Sequence, residues 1–168
     1  MFRLFALAAC LATPVAAVEL VEFGVICDVA ITGERPAPLT ESGKMNLIDQ
    51  QRGFDVISTS VPAKLGLSFG IRIALDPEST STGTRVVVTH PSLGASRTTT
   101  QSWPTALEPG GRSLNLFTFE HGYEMVQGRW TFAVIDDSGK RVEQAFDVLP
   151  ESSVPQVQAV CFDDALLS

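Results

Sequence analysis

The chain has 168 residues, with 12 Lys and Arg set against 19 Asp and Glu, for a formal net charge of −7. So acidic a balance excludes the broad cationic surface with which proteins grip nucleic acid, and no nucleic-acid partner is expected. The length fits one domain of about 150 residues after export processing, able to bury roughly two-thirds of its unfolded surface.

Residues 1–17 read as a cleaved signal peptide. Arg3 supplies the early positive charge, an apolar run extends from Leu4 to Ala12, Pro14 breaks it, and Val15 and Ala17 occupy the small-residue positions before a cut at Val18. The run is shorter than the ~20 apolar residues of a membrane helix, and no second transmembrane run follows. "LAAC" at Leu7 to Cys10 is a weaker alternative, a lipoprotein signal that would leave Cys10 lipidated. Removal of the signal takes away Arg3 and no acid, so −7 becomes −8.

Of the three cysteines, Cys27 and Cys161 stay in the exported chain, one near each end. In an oxidising compartment they form one disulfide that ties the tail, residues 151–168, to the first strand. A redox role has little support, because neither sits in a C-x-x-C motif.

"VELVEFGVICDVAIT" is rich in β-branched residues and predicts one or two strands, with a bulge at Gly24. From Gly33 to Gly53 the chain reads as a long, mobile loop, with Met45 to Ile48 a short strand or turn on the rim. A strand is predicted over Phe54 to Ser60. Next comes the clearest alternation: Leu65, Leu67, Phe69, Ile71, Ile73 and Leu75 on one face, with Gly66, Ser68, Gly70, Arg72 and Ala74 on the other. The small residues at 66, 68 and 70 are explained most simply by a bent strand, and alternatively by close approach of a ligand or another backbone.

Further strands are predicted over Thr84 to His90, closed by Pro91, over Arg97 to Trp103, ended by Pro104, and over Leu114 to His121. The polar, Thr-rich "RTTTQSW" suits a sheet edge. Gly128 to Pro150 then reads as a hairpin, in which Trp130, Phe132 and Val134 share an apolar face, and Val142, Phe146 and Val148 share another with Gln144. "DDSGK" turns the chain between them.

About seven to nine strands with turn chemistry between them and no long amphipathic helix predict an all-β, immunoglobulin-like antiparallel sandwich over 18–150; an up-and-down barrel ranks second. Tyr123 is placed where such folds carry a tyrosine tie. "VPAKLGLSFGIRI", "VVVTHP", "LNLFTFEHGYEMVQGRWTFAV" and "FDVLP" resemble a family of small exported proteobacterial proteins known only as a domain of unknown function. The likeness covers most of Phe23 to Pro150. It implies export and a bacterial envelope setting, and no established activity.

The chemistry-bearing residues are sparse. His90 and His121 are the only histidines, too few for a three-histidine zinc site, and no H-E-x-x-H or G-x-S-x-G motif occurs. "PGGR" at Pro109 to Arg112 lacks the following helix and lysine of a phosphate cradle. Asp136 and Asp137 are explained by capping their own turn; a calcium site over Asp136 to Gly139 lacks the required spacing. No cofactor or metal is therefore expected. The leading expectation is a non-catalytic module, periplasmic or secreted, that binds another envelope protein or a surface polymer. Its contact stretch is Arg97, Thr99, Gln101 and Trp103 on the edge strand. The alternatives are a small metal-dependent hydrolase using His90 and His121, and a self-assembling envelope subunit.

Overall fold

Phe69 sets the centre of the fold. In the computed structural model, which describes residues 18–79, 83–105, 107–137 and 139–162, its ring meets those of Phe117, Phe119, Trp130, Phe132 and Phe146 at centroid distances of 5.3–6.1 Å. These rings come from both predicted apolar faces of the 128–150 hairpin and from two other strands, so the alternation in the sequence becomes one aromatic core. Residues 1–17, expected as a signal peptide and containing Cys10, and Asp163 and Asp164 lie outside the described residues.

Among the described residues, ten strands and a short helix surround that core. β1 (Val18–Ile26), β5 (Ser68–Leu75) and β8 (Arg112–Thr118) form a three-stranded antiparallel sheet in the order β1-β5-β8. β4 (Ser60–Pro62), β10 (Arg141–Leu149), β9 (Gly128–Asp136), β6 (Thr84–Leu93) and β7 (Thr98–Thr105) form a five-stranded sheet in the order β4-β10-β9-β6-β7. β4 runs parallel to β10, and the other pairs are antiparallel. β2 (Ile31–Pro36) and β3 (Lys44–Ile48) make a separate hairpin. The two larger sheets bury Ile71, Ile73, Val86, Val88, Phe132 and Val134 between them, as an all-β sandwich requires.

Several expectations are corrected. A hairpin, Ile31–Pro36 with Lys44–Ile48, occupies most of the expected 33–53 loop, and Met45–Ile48, expected as a short strand or turn, lies in its second strand. Phe54 to Ser60 forms only one bridge, Val25 to Val56; the strand proper is Ser60–Pro62. β6 continues through Pro91 to Leu93, and β7 continues through Pro104. The bulge in β1 lies between Leu20 and Glu22 rather than at Gly24. Gly24 is needed for closeness instead, since a Cβ there would stand 2.3 Å from the Val56 carbonyl oxygen. Gly70 answers to the close-approach reading: a Cβ would stand 2.1 Å from the Asn115 oxygen on β8, so the neighbouring backbone takes the space.

The outer face of β5 is buried too. Arg72 lies beneath residues 49–53, where Nε donates to Glu22, Nη1 to Gln50 O at 2.7 Å and Nη2 to Arg52 O at 2.6 Å. Leu65, placed by its period with the core residues, precedes the strand and is 52% exposed. At the other end Cys27 and Cys161 are joined as expected, with Cα atoms 5.0 Å apart. The bond holds a seven-residue helix, α1 (Pro155–Cys161), whose Val157 enters the core.

Candidate functional site

The two sandwich sheets end on the same side, one at β7 and the other at β8, and side chains join these edges. Trp103 Nε1–H donates to Asn115 Oδ1 at 3.3 Å, and the hydroxyls of Thr105 and Ser113 meet at 2.8 Å. Over this seam the β2–β3 hairpin encloses a cleft of about 340 Å³. Its long walls are the whole of β3 and the whole of β8, and Gln101 and Trp103 contribute from β7. That volume lies in the range of small-molecule and peptide-side-chain pockets.

Local sequence explains why the hairpin sits there. Thr40 closes the turn at 37–43 by accepting from Gly43 N–H and donating to Ala37 O. On the β7 side Ser102 N–H donates to Leu39 O at 3.0 Å, Arg35 Nη2 to Pro104 O at 2.8 Å, and Glu41 N–H to Gln101 Oε1 at 2.8 Å. On the β8 side Leu114 N–H donates to Gln50 Oε1 at 2.8 Å, and Asn46 Nδ2 to Glu120 Oε1 at 2.7 Å. The β7 edge is therefore blunted: Pro104 has no N–H to offer, and Ser102 has given its own to the hairpin.

The β8 edge is different. Phe119 N–H donates to Leu67 O and Leu114 N–H points the other way to Gln50, so along this strand odd residues pair with the β5 side and even residues face the cleft. Leu116 and Thr118 thus direct N–H and C=O into it, and among the described residues nothing bonds to these groups. On the facing strand, Lys44 opposes Pro36 and Asn46 opposes Glu34 in non-bonded register, so Asn46 likewise turns its backbone toward the cleft.

Two titratable groups matter to the site: Glu124, which lines it, and His90, which contacts the lining residue Gln101. Glu124 is buried, and its Oε2 accepts the N–H groups of Glu120 and His121, each at 2.7 Å. Burial raises its pKa above the ordinary carboxyl value, and the two N–H donors oppose that rise. It makes the tie expected of Tyr123, whose ring instead lies at the surface, 44% exposed and stacked on His121. His90 is 6% exposed and packs on Trp130, with centroids 4.7 Å apart; burial pushes its imidazole below the usual histidine range.

Of the sequence-predicted contact residues, Gln101 and Trp103 are buried at the cleft floor, while Arg97 and Thr99 are exposed and do not line it. Among the described residues no group of three or more His, Cys, Asp or Glu is arranged to hold a metal ion. Both His90 nitrogens have partners within the protein, and Asp136 Oδ1 accepts from Lys140 N–H in its own turn. The sequence reading missed Gln50, Asn46, Leu116 and Thr118. Pro36 and the short "KMNLI" run were the available signs of an edge hairpin; nothing in the local sequence marks the free edge of β8.

The profile of a domain of unknown function, DUF3859, matches residues 14–148. The chain belongs to the DUF3859 family. None of the curated proteins matches it. Among solved structures, an immunoglobulin-like protein from Pseudomonas aeruginosa is similar at a TM-score of 0.55 and 23% identity, covering 80% of this chain and 98% of that one. At that identity the likeness speaks for the fold, and it agrees with an immunoglobulin-like sandwich for this DUF3859 member.

Proposed function

We propose that this DUF3859 chain is an exported, non-catalytic module that binds an extended segment of another envelope protein in the cleft between β3 and β8. The observation that carries the reading is the unpaired backbone of Leu116 and Thr118, aimed into a cleft with Asn46 on its far wall. A peptide laid there as a strand bonds β8 through its backbone, and the cleft pockets select its side chains. The Cys27–Cys161 bond supports an oxidising compartment, and the features of residues 1–17 support export to it.

Leu116→Pro provides the test. The substitution removes an outward N–H that β5 does not use, because β5 pairs with the odd residues of β8, and Leu116→Ala serves as the control for the lost side chain. Peptides selected from a displayed random library on the native protein should lose binding to Leu116→Pro at least tenfold, or about 1.4 kcal/mol, while its unfolding midpoint stays close to that of the native protein. Undiminished binding, or a library that yields no binder, contradicts the reading. Edman sequencing of protein from the host envelope should begin at Val18.

A further inference from the structure

His90 stands in a chain of directed hydrogen bonds. A carbonyl only accepts, so the 2.8 Å contact of Nδ1 with Pro91 O fixes the ring hydrogen on Nδ1. Nε2 is then an acceptor, and Gln101 Nε2–H donates to it at 3.1 Å. With its nitrogen so used, Gln101 presents Oε1 to the backbone N–H of Glu41 at 2.8 Å. The donors all run one way, from Glu41 through Gln101 and His90 to Pro91. Glu41 belongs to the 37–43 turn, from which Thr40 and Ser42 line the cleft beside Gln101.

A second proton on the ring is incompatible with this order. Nε2–H becomes a donor and confronts the donor of Gln101. Rotating the Gln101 amide by half a turn restores an acceptor for His90 but brings the NH₂ group against Glu41 N–H, so one of the two bonds is lost. Among the titratable groups of the described residues, Glu41 is the one whose charge acts on His90; Trp130 from β9 and Gln101 from β7, which pack on the ring, are uncharged. Ser96 Oγ, just before β7, and Thr98 Oγ1, at its start, donate to the Glu41 carboxylate, so the turn keeps this separate tie when the Glu41 N–H bond to Gln101 opens.

We propose that protonation of His90 unlatches the 37–43 turn from Gln101 and so loosens the β7 end of the cleft. Its consequence for ligand capture rests on the peptide-binding reading; the latch itself rests on the hydrogen bonds alone.

The test is nuclear magnetic resonance of the ¹⁵N-labelled protein without any peptide, so failure of the latch and failure of peptide binding are read separately. His90 should be in the Nδ1–H form near neutral pH. As it titrates, exchange of the Glu41 amide, corrected for intrinsic rate, should rise about tenfold or more, while that of Gly43, bonded to Thr40 O within the turn, should not. In His90→Phe the Glu41 response should vanish. Should that variant not fold, the native measurements decide alone. An Nε2–H form at neutral pH, unchanged Glu41 exchange through the titration, or unfolding before His90 takes up its proton overturns the proposal.

Discussion

Gln50 fills with its side chain a place that a neighbouring strand would fill with its backbone: its Oε1 accepts the outward N–H of buried Leu114 at 2.8 Å. The protein thus satisfies the first cleft-facing N–H on β8 that lies in its interior and leaves those at Leu116 and Thr118 open. Gln50→Ala should cost about 1–3 kcal/mol, because Leu114 N–H loses its partner, measured by urea unfolding. It should also lengthen the edge available to a docked strand.

Phe69→Ala should be the most damaging core truncation. The ring contacts aromatic groups from both sheets, so the vacated space has no single neighbour able to close it. A loss of about 3–5 kcal/mol is expected by chemical denaturation.

Replacing both Cys27 and Cys161 with Ser opens a loop spanning 134 residues of sequence separation. The chain-entropy relation gives about 5 kcal/mol as the full loss. Val157 lies one turn from Cys161 and is buried, so release of α1 should also appear as faster amide exchange across Pro155–Cys161.

The pH dependence has two opposed parts. His90 has a folded pKa below 6.5, so the stability it contributes is present above that unfolded value and is lost as pH falls through the folded one. Glu124 has a folded pKa above 4.5, so its contribution is full below that value and is lost as pH rises through the folded one. Glu124→Gln keeps an oxygen for the Glu120 and His121 N–H groups without the buried charge. It should raise the urea midpoint near neutral pH and leave the acid-side loss from His90 in place.

Much of the sandwich was legible because its strands carry strict alternation around large apolar residues: Phe69, Trp130, Phe132 and Phe146 all lie where their period put them. The cysteine pair was legible by count. Of the β2–β3 hairpin only Met45–Ile48 was legible, since Pro36, Pro38, Gly43 and polar neighbours resemble a loop when tertiary bonds to Ser102, Pro104 and Leu114 cannot be seen. The polar "RTTTQSW" suggests an edge contact stretch that includes Trp103. Alternation instead turns Trp103 inward, to Asn115, and the accessible edge passes from β7 to β8. Edges are set by sheet order, which local sequence does not encode.

Amide hydrogen exchange at Leu116 and Thr118, with and without a library-selected peptide, tests the account most directly. In the free protein both should exchange far faster than Phe117 and Phe119, whose N–H groups face β5, and both should become protected when the peptide binds. Protection already present in the free protein, or none gained from a bound peptide, would contradict strand addition at β8.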